Sequence, residues 1–75
     1  MVYVNGKFFD ADAPALLVSD HGFTVGDGVF ETIKTIDSIP YALTRHLERL
    51  ANSALGLGLP QPPTTIRGAI DQLLA

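Results

Sequence analysis

The chain has no cysteine and no tryptophan, and its only lysines are Lys7 and Lys34. Without cysteine, neither a disulfide nor a thiolate metal site can staple it. That matters at 75 residues, because so short a chain buries a small share of its surface and is marginally stable unaided. The absence also fits a reducing compartment. Positive charge is scarce: five Lys and Arg stand against eight Asp and Glu, a formal charge of −3. The basic residues are scattered, so no surface for nucleic acid is expected. No apolar run approaches the about 20 residues that cross a bilayer. The start, Met1-Val2-Tyr3-Val4-Asn5-Gly6-Lys7, lacks the regions of a signal peptide. A soluble cytoplasmic protein with no membrane partner is the expectation.

The composition, 47% hydrophobic, is that of a folded chain. Val2-Tyr3-Val4 and Lys7-Phe8-Phe9 flank Asn5-Gly6, which readily takes the two positive φ angles of a type I′ turn. A tight hairpin follows. Ala15 to Val18 is a short apolar run suited to a buried strand. Ser19 to Gly28 is rich in Gly, Asp and Ser and predicts an irregular connection. Val29 to Ile36 is β-branched enough for a strand. Asp37-Ser38 then turns the chain into a short return strand, Ile39 to Ala42, which Pro40 makes an edge strand or one that begins there.

Two helices follow. The first is expected from Arg45 to Leu55, with Thr44 as N-cap and Leu47, Leu50, Ala51, Ala54 and Leu55 as its apolar stripe. Gly56 and Gly58 let the chain leave it, and Pro60, Pro62 and Pro63 form a stiff linker. The second helix starts near Ile66 with Thr65 as cap, and Ile66, Ala69, Ile70, Leu73 and Leu74 repeat the stripe. This order predicts an α+β fold, a small mostly antiparallel sheet with two helices packed on one face. The pattern stops at Asp71-Gln72-Leu73-Leu74-Ala75 without a capping residue, which predicts a truncated chain.

Asp20-His-Gly-Phe-Thr-Val-Gly-Asp-Gly-Val-Phe-Glu-Thr32 and Pro40-Tyr-Ala-Leu-Thr-Arg-His-Leu-Glu-Arg-Leu50 together resemble the N-terminal signature of the fold-type IV pyridoxal-phosphate enzymes. The resemblance covers nearly the whole chain and is more specific to the superfamily than to one reaction. It implies that residues 1–75 are the small-domain segment of a larger enzyme. Members form a Schiff base between pyridoxal 5′-phosphate and a lysine that lies downstream of this signature. The large domain carrying that lysine is absent here, and the chain alone is expected to be inactive. Lys34 does not match the family's lysine position, and Lys7 has the setting of a solvated residue.

The resemblance implies two site residues. Arg49, in His46-Leu47-Glu48-Arg49-Leu50, matches the arginine that reaches the cofactor phosphate. A guanidinium is a planar, permanently charged fork suited to phosphate oxygens; its bland reading is a solvated residue on a polar helix face. Phe30 matches an aromatic position facing the substrate side of the cofactor, where D-amino-acid aminotransferases typically carry tyrosine; its bland reading is a core residue. Alternation along a strand puts Phe30 and Glu31 on opposite faces. His46 belongs to the family segment and is expected to orient the helix start or the loop beside it.

Gly26-Asp27-Gly28 is not a dinucleotide fingerprint, since it lacks a third glycine and does not open a helix after a strand. Asp20 and Asp27 are expected to cap turns. His21 and His46 make no metal pair, lying far apart without a third ligand. Arg45 and Glu48 have the spacing of a weak helical ion pair.

The wording most resembles 4-amino-4-deoxychorismate lyases, which release pyruvate from a small-molecule substrate and leave 4-aminobenzoate for folate synthesis. A class IV aminotransferase of branched-chain or D-amino acids is the alternative, and a homodimer is implied for either. A non-catalytic interaction module, with exposed helical stripes that bind a partner, is the reading from another class.

Overall fold

The computed structural model describes residues 1–75 and is built from two antiparallel hairpins and three helices. Strands β1 (Val2–Val4) and β2 (Lys7–Phe9) form the first hairpin, with Val4 opposite Lys7 and Tyr3 opposite Phe8. Asn5 (φ 50°) and Gly6 (φ 86°) take the two positive φ angles of the turn. Across the strands the Tyr3 and Phe8 rings meet edge to face at 5.0 Å, a geometry favoured by the ring quadrupoles.

Ala15 to Val18 does not form the expected strand. Leu16, Leu17 and Val18 are 65%, 76% and 81% exposed. No other stretch runs beside them to complete a ladder, and an unpaired strand has no partner for its backbone polar groups. The connection from Ser19 to Gly28 is also more ordered than expected. It contains α1 (His21–Val25), capped by the Asp20 carboxylate, which accepts from the Gly22 amide at 2.8 Å. Gly26 ends this helix in the left-handed conformation, at φ 69°.

The expected strand from Val29 to Ile36 is paired only near its end. Strands β3 (Thr35–Ile36) and β4 (Ile39–Pro40) form the second hairpin, extended by one bond from the Tyr41 amide to the Lys34 carbonyl at 2.8 Å. The return arm then bends into a helix through Ala42, at φ 55°, leaving residues 29–33 without a ladder partner. Their burial still alternates: Val29, Glu31 and Ile33 are half-buried, while Phe30 and Thr32 are exposed.

Helix α2 (Leu43–Gly56) begins two residues before the expected start. Thr44 is therefore not its cap. The N-cap position falls on Ala42, whose methyl group cannot accept a hydrogen bond, and the Thr44 hydroxyl accepts from Arg67 Nη2 at 2.6 Å. At the other end, the Leu59 amide donates to Ala54 and the Gly58 amide to Leu55, with Gly58 at φ 70°. This is a Schellman closure. Helix α3 (Ile66–Leu74) begins where expected, but the Thr65 hydroxyl makes no capping bond.

The class is α+β and all strand pairing is antiparallel, as the sequence predicts. The sheet is divided into two separate hairpins, and α3 rests against β1. Linking contacts run from Gln61 to the Ala51 carbonyl and from Arg67 to Thr44. Ala54 and Ala69 alone are buried. The Cα radius of gyration is 13.3 Å, against about 11 Å for a compact domain of this length. The chain is loosely packed.

Candidate functional site

One polar cluster stands out from this loose arrangement, where the unpaired stretch before β3 runs beside the first half of α2. Alternation turns Glu31 toward the helix, and its carboxylate is only 10% exposed. His46 and Arg49, three positions apart and therefore neighbours on one helix face, meet it there. His46 Nδ1 lies 2.6 Å from Glu31 Oε1. Arg49 donates from Nε to Oε2 at 2.9 Å, from Nε to Oε1 at 3.1 Å, and from Nη2 to Oε1 at 2.7 Å.

These bonds lower the Glu31 carboxyl from an ordinary 4.5 to about 2, first through Arg49 and then through His46. Arg49 is raised in turn, chiefly by its hydrogen bonds to Glu31. With Glu31 ionised and able only to accept, the short His46 contact requires a proton on Nδ1. The approach of Arg49 Nη2 to His46 Nδ1 at 3.4 Å is then donor facing donor. It contributes no bond.

The outer side of this cluster opens into a cleft of about 520 Å³ lined by Tyr41, Arg45, His46, Glu48, Arg49 and Asn52 beside Ala42. The Arg49 side chain is 67% exposed and makes no bond through Nη1. Arg45 lies one turn earlier on the same helix. A cleft with two guanidinium groups, one with its donors half committed, suits an anion with several oxygens.

The other sequence candidates lie elsewhere. Phe30 is 83% exposed and does not line the cleft, on the opposite side of its segment from Glu31 as the alternation predicts. It is not in a core. Lys7 and Lys34 are exposed and also outside the cleft. Asp20 caps a turn as expected, but the Asp27 carboxylate instead meets His21 Nδ1 at 3.3 Å. No group of three or more metal-ligating side chains is present. Arg45 and Glu48 form no ion pair; the carboxylate that engages this helix is Glu31.

Sequence reasoning singled out Arg49 and missed its partners. The spacing of His46 and Arg49 was a visible signal, and Glu31 was the one carboxylate in the predicted strand. Joining them required knowing that the strand passes this helix face.

A family model described as amino-transferase class IV matches residues 28–75, the part of the chain that holds the cluster and the cleft. The chain belongs to the class IV aminotransferase family. Among its relatives is the protein named "Putative branched-chain-amino-acid aminotransferase" of Methanocaldococcus jannaschii, 43% identical over 63 residues, covering 84% of this chain and 22% of the relative. An aminodeoxychorismate lyase of Bacillus subtilis is 44% identical over 50 residues, covering 67% of this chain and 17% of the relative. A D-alanine aminotransferase of Staphylococcus haemolyticus is 36% identical over 53 residues, covering 71% and 19%. The chain thus spans about a fifth of the length of these relatives. No solved structure gives a significant match. Class IV membership accounts for the resemblance in the two sequence segments, and it covers lyase and aminotransferase names alike.

Proposed function

We propose that this class IV chain is the small-domain segment of a pyridoxal-phosphate enzyme, and that it contributes the phosphate anchor through Arg49. The observation that carries this reading is the Arg49 guanidinium, bonded along one edge to Glu31 and free at Nη1 over the cleft. The donor set fits the phosphate end of the cofactor. Arg49 would hold it, with Arg45 adding positive charge from the same cleft and the Asn52 amide a further donor. When bound, pyridoxal phosphate supplies an electron sink for breaking bonds at the amino-bearing carbon. The lysine that would hold its aldehyde end is not among the residues lining this cleft.

This chain's own residues do three things in that scheme. Arg49 binds and orients the phosphate, Glu31, itself held by His46, holds Arg49, and Phe30 offers an aromatic wall toward the substrate. The 83% exposure of Phe30 suits a side chain that meets a substrate or another part of the enzyme. For the reaction, we favour release of pyruvate from 4-amino-4-deoxychorismate in a soluble, cytoplasmic homodimer. The lyase wording of the Phe23–Thr32 segment and the 44% identity to the Bacillus subtilis lyase support it. The second reading is transamination of a branched-chain or D-amino acid. It draws on the longer alignment with the Methanocaldococcus jannaschii protein.

The test uses the full-length gene product, whose intact mass is measured first. A mass far above 8.0 kDa fits the fragment reading; a mass matching 75 residues removes the cofactor lysine and with it this function. The purified protein is then assayed for 4-aminobenzoate release and for amino transfer to a keto acid. Formation of 4-aminobenzoate selects the lyase, and amino transfer alone selects the second reading. Replacing Arg49 by Ala should raise the cofactor dissociation constant about 10- to 100-fold, as expected for loss of charge-assisted bonds. An unchanged constant would refute the phosphate role.

A further inference from the structure

We propose that Glu31, braced by His46, is a positioning residue that holds the Arg49 guanidinium with its Nη1 edge turned to the phosphate. This inference rests on the phosphate reading and deepens it. An exposed ion pair is ordinarily worth little, because it restrains two long side chains for a weak attraction. The Glu31 pair differs in two respects. Its carboxylate is 10% exposed, and it is gripped from two positions of one helix, by His46 at 18% exposure and by Arg49 through two nitrogens.

An unbraced arginine would sample many rotamers and lose that freedom each time a phosphate bound. With Nε and Nη2 already committed to Glu31, the planar fork is oriented beforehand, and less freedom is lost on binding. The carboxylate has an opposing effect, since its charge offsets part of the attraction of Arg49 for an anion. Orientation and charge therefore predict opposite consequences for removing Glu31. The Nδ1 proton of His46 is donated to Oε1, the same oxygen that accepts from Arg49 Nη2, and keeps the carboxylate against the helix. The geometry favours orientation.

The experiment compares binding of pyridoxal phosphate and of pyridoxal, which lacks the phosphate, to the full-length apoprotein by absorbance titration. The ratio of the two dissociation constants isolates what the phosphate contributes, and a merely structural role would weaken both ligands together. In the Glu31→Gln variant the preference for the phosphorylated ligand should fall about tenfold, the scale of one bond to a charged group, with pyridoxal binding unchanged. Arg49→Ala should lower the same preference at least as far. If Arg49→Ala lowers it and Glu31→Gln leaves or raises it, the positioning role is wrong while the phosphate anchor stands. If Arg49→Ala itself leaves the preference intact, the phosphate reading fails and this inference fails with it. Should Glu31→Gln not fold, His46→Ala decides by the same ratio: a fall supports the bracing, and an unchanged ratio overturns it.

Discussion

Residues 31, 46 and 49 and residues 16–18 lie in the same chain under opposite conditions. The first group is polar and bonded together around the Glu31 carboxylate, with no buried polar side chain left unpartnered. The second is apolar, and its three side chains stand in solvent. Hydrogen bonds and ion pairs are directional and need only two or three atoms in place. Apolar burial needs partners over a whole side-chain surface, which a buried residue gets from many neighbours at once. Seventy-five residues with two buried alanines meet the first requirement locally and leave the second unmet. The same contrast separates Glu31 from Phe30, adjacent in the chain and on opposite faces.

The comparison can be broken most readily where packing is tightest. Ala54 is 2% exposed on α2, and Ala54→Leu should destabilise the full-length protein by about 1–3 kcal/mol in urea unfolding, as overpacking does. A neutral result would mean that even this contact is loose. Next is Gly58, whose φ of 70° closes α2 with nothing near its absent Cβ. Gly58→Ala should cost about 1–2 kcal/mol from backbone strain alone, read as a lower midpoint of thermal unfolding.

The polar cluster is tested by acid. Glu31 is held at about 2 against an ordinary 4.5, so the unfolded chain binds its proton first as pH falls. Its contribution is fully present above about pH 4.5 and is lost as pH falls toward 2. The Arg49 Nε–H resonance should keep its hydrogen-bonded position down to about pH 3; an earlier shift would show a weaker clamp. The smallest effect is expected at Leu17, 76% exposed. If these residues are all that surrounds it, Leu17→Ser should change stability by less than about 0.5 kcal/mol. A loss several times larger in the full-length protein would show that another part of it covers this segment.

How far the sequence could be read differs in the same way between regions. Asn5-Gly6 announced a hairpin because its turn depends on the angles of two residues. Helices α2 and α3 were visible in their apolar stripes, since each helix forms its backbone bonds within itself. The run from Ala15 to Val18 had the composition of a strand but no neighbour to pair with, and composition does not report neighbours. The start of α2 was misjudged because Thr44 looked like a cap, yet its hydroxyl is taken by Arg67, 23 positions away. At the site, Arg49 was legible by resemblance. Glu31 as its partner was not, because that contact depends on which segment passes the helix.

By itself, then, the sequence determined the turns, the helical faces, the opposite orientation of Phe30 and Glu31, and the class IV family. These follow from local angles, from the periods of helix and strand, and from residue identity. Only the tertiary structure decided that Glu31, His46 and Arg49 meet, that one edge of the Arg49 fork stays free, and that the second hairpin ends where α2 begins. The cluster needs groups 15 and 18 positions apart to be brought within about 3 Å, which no local rule specifies.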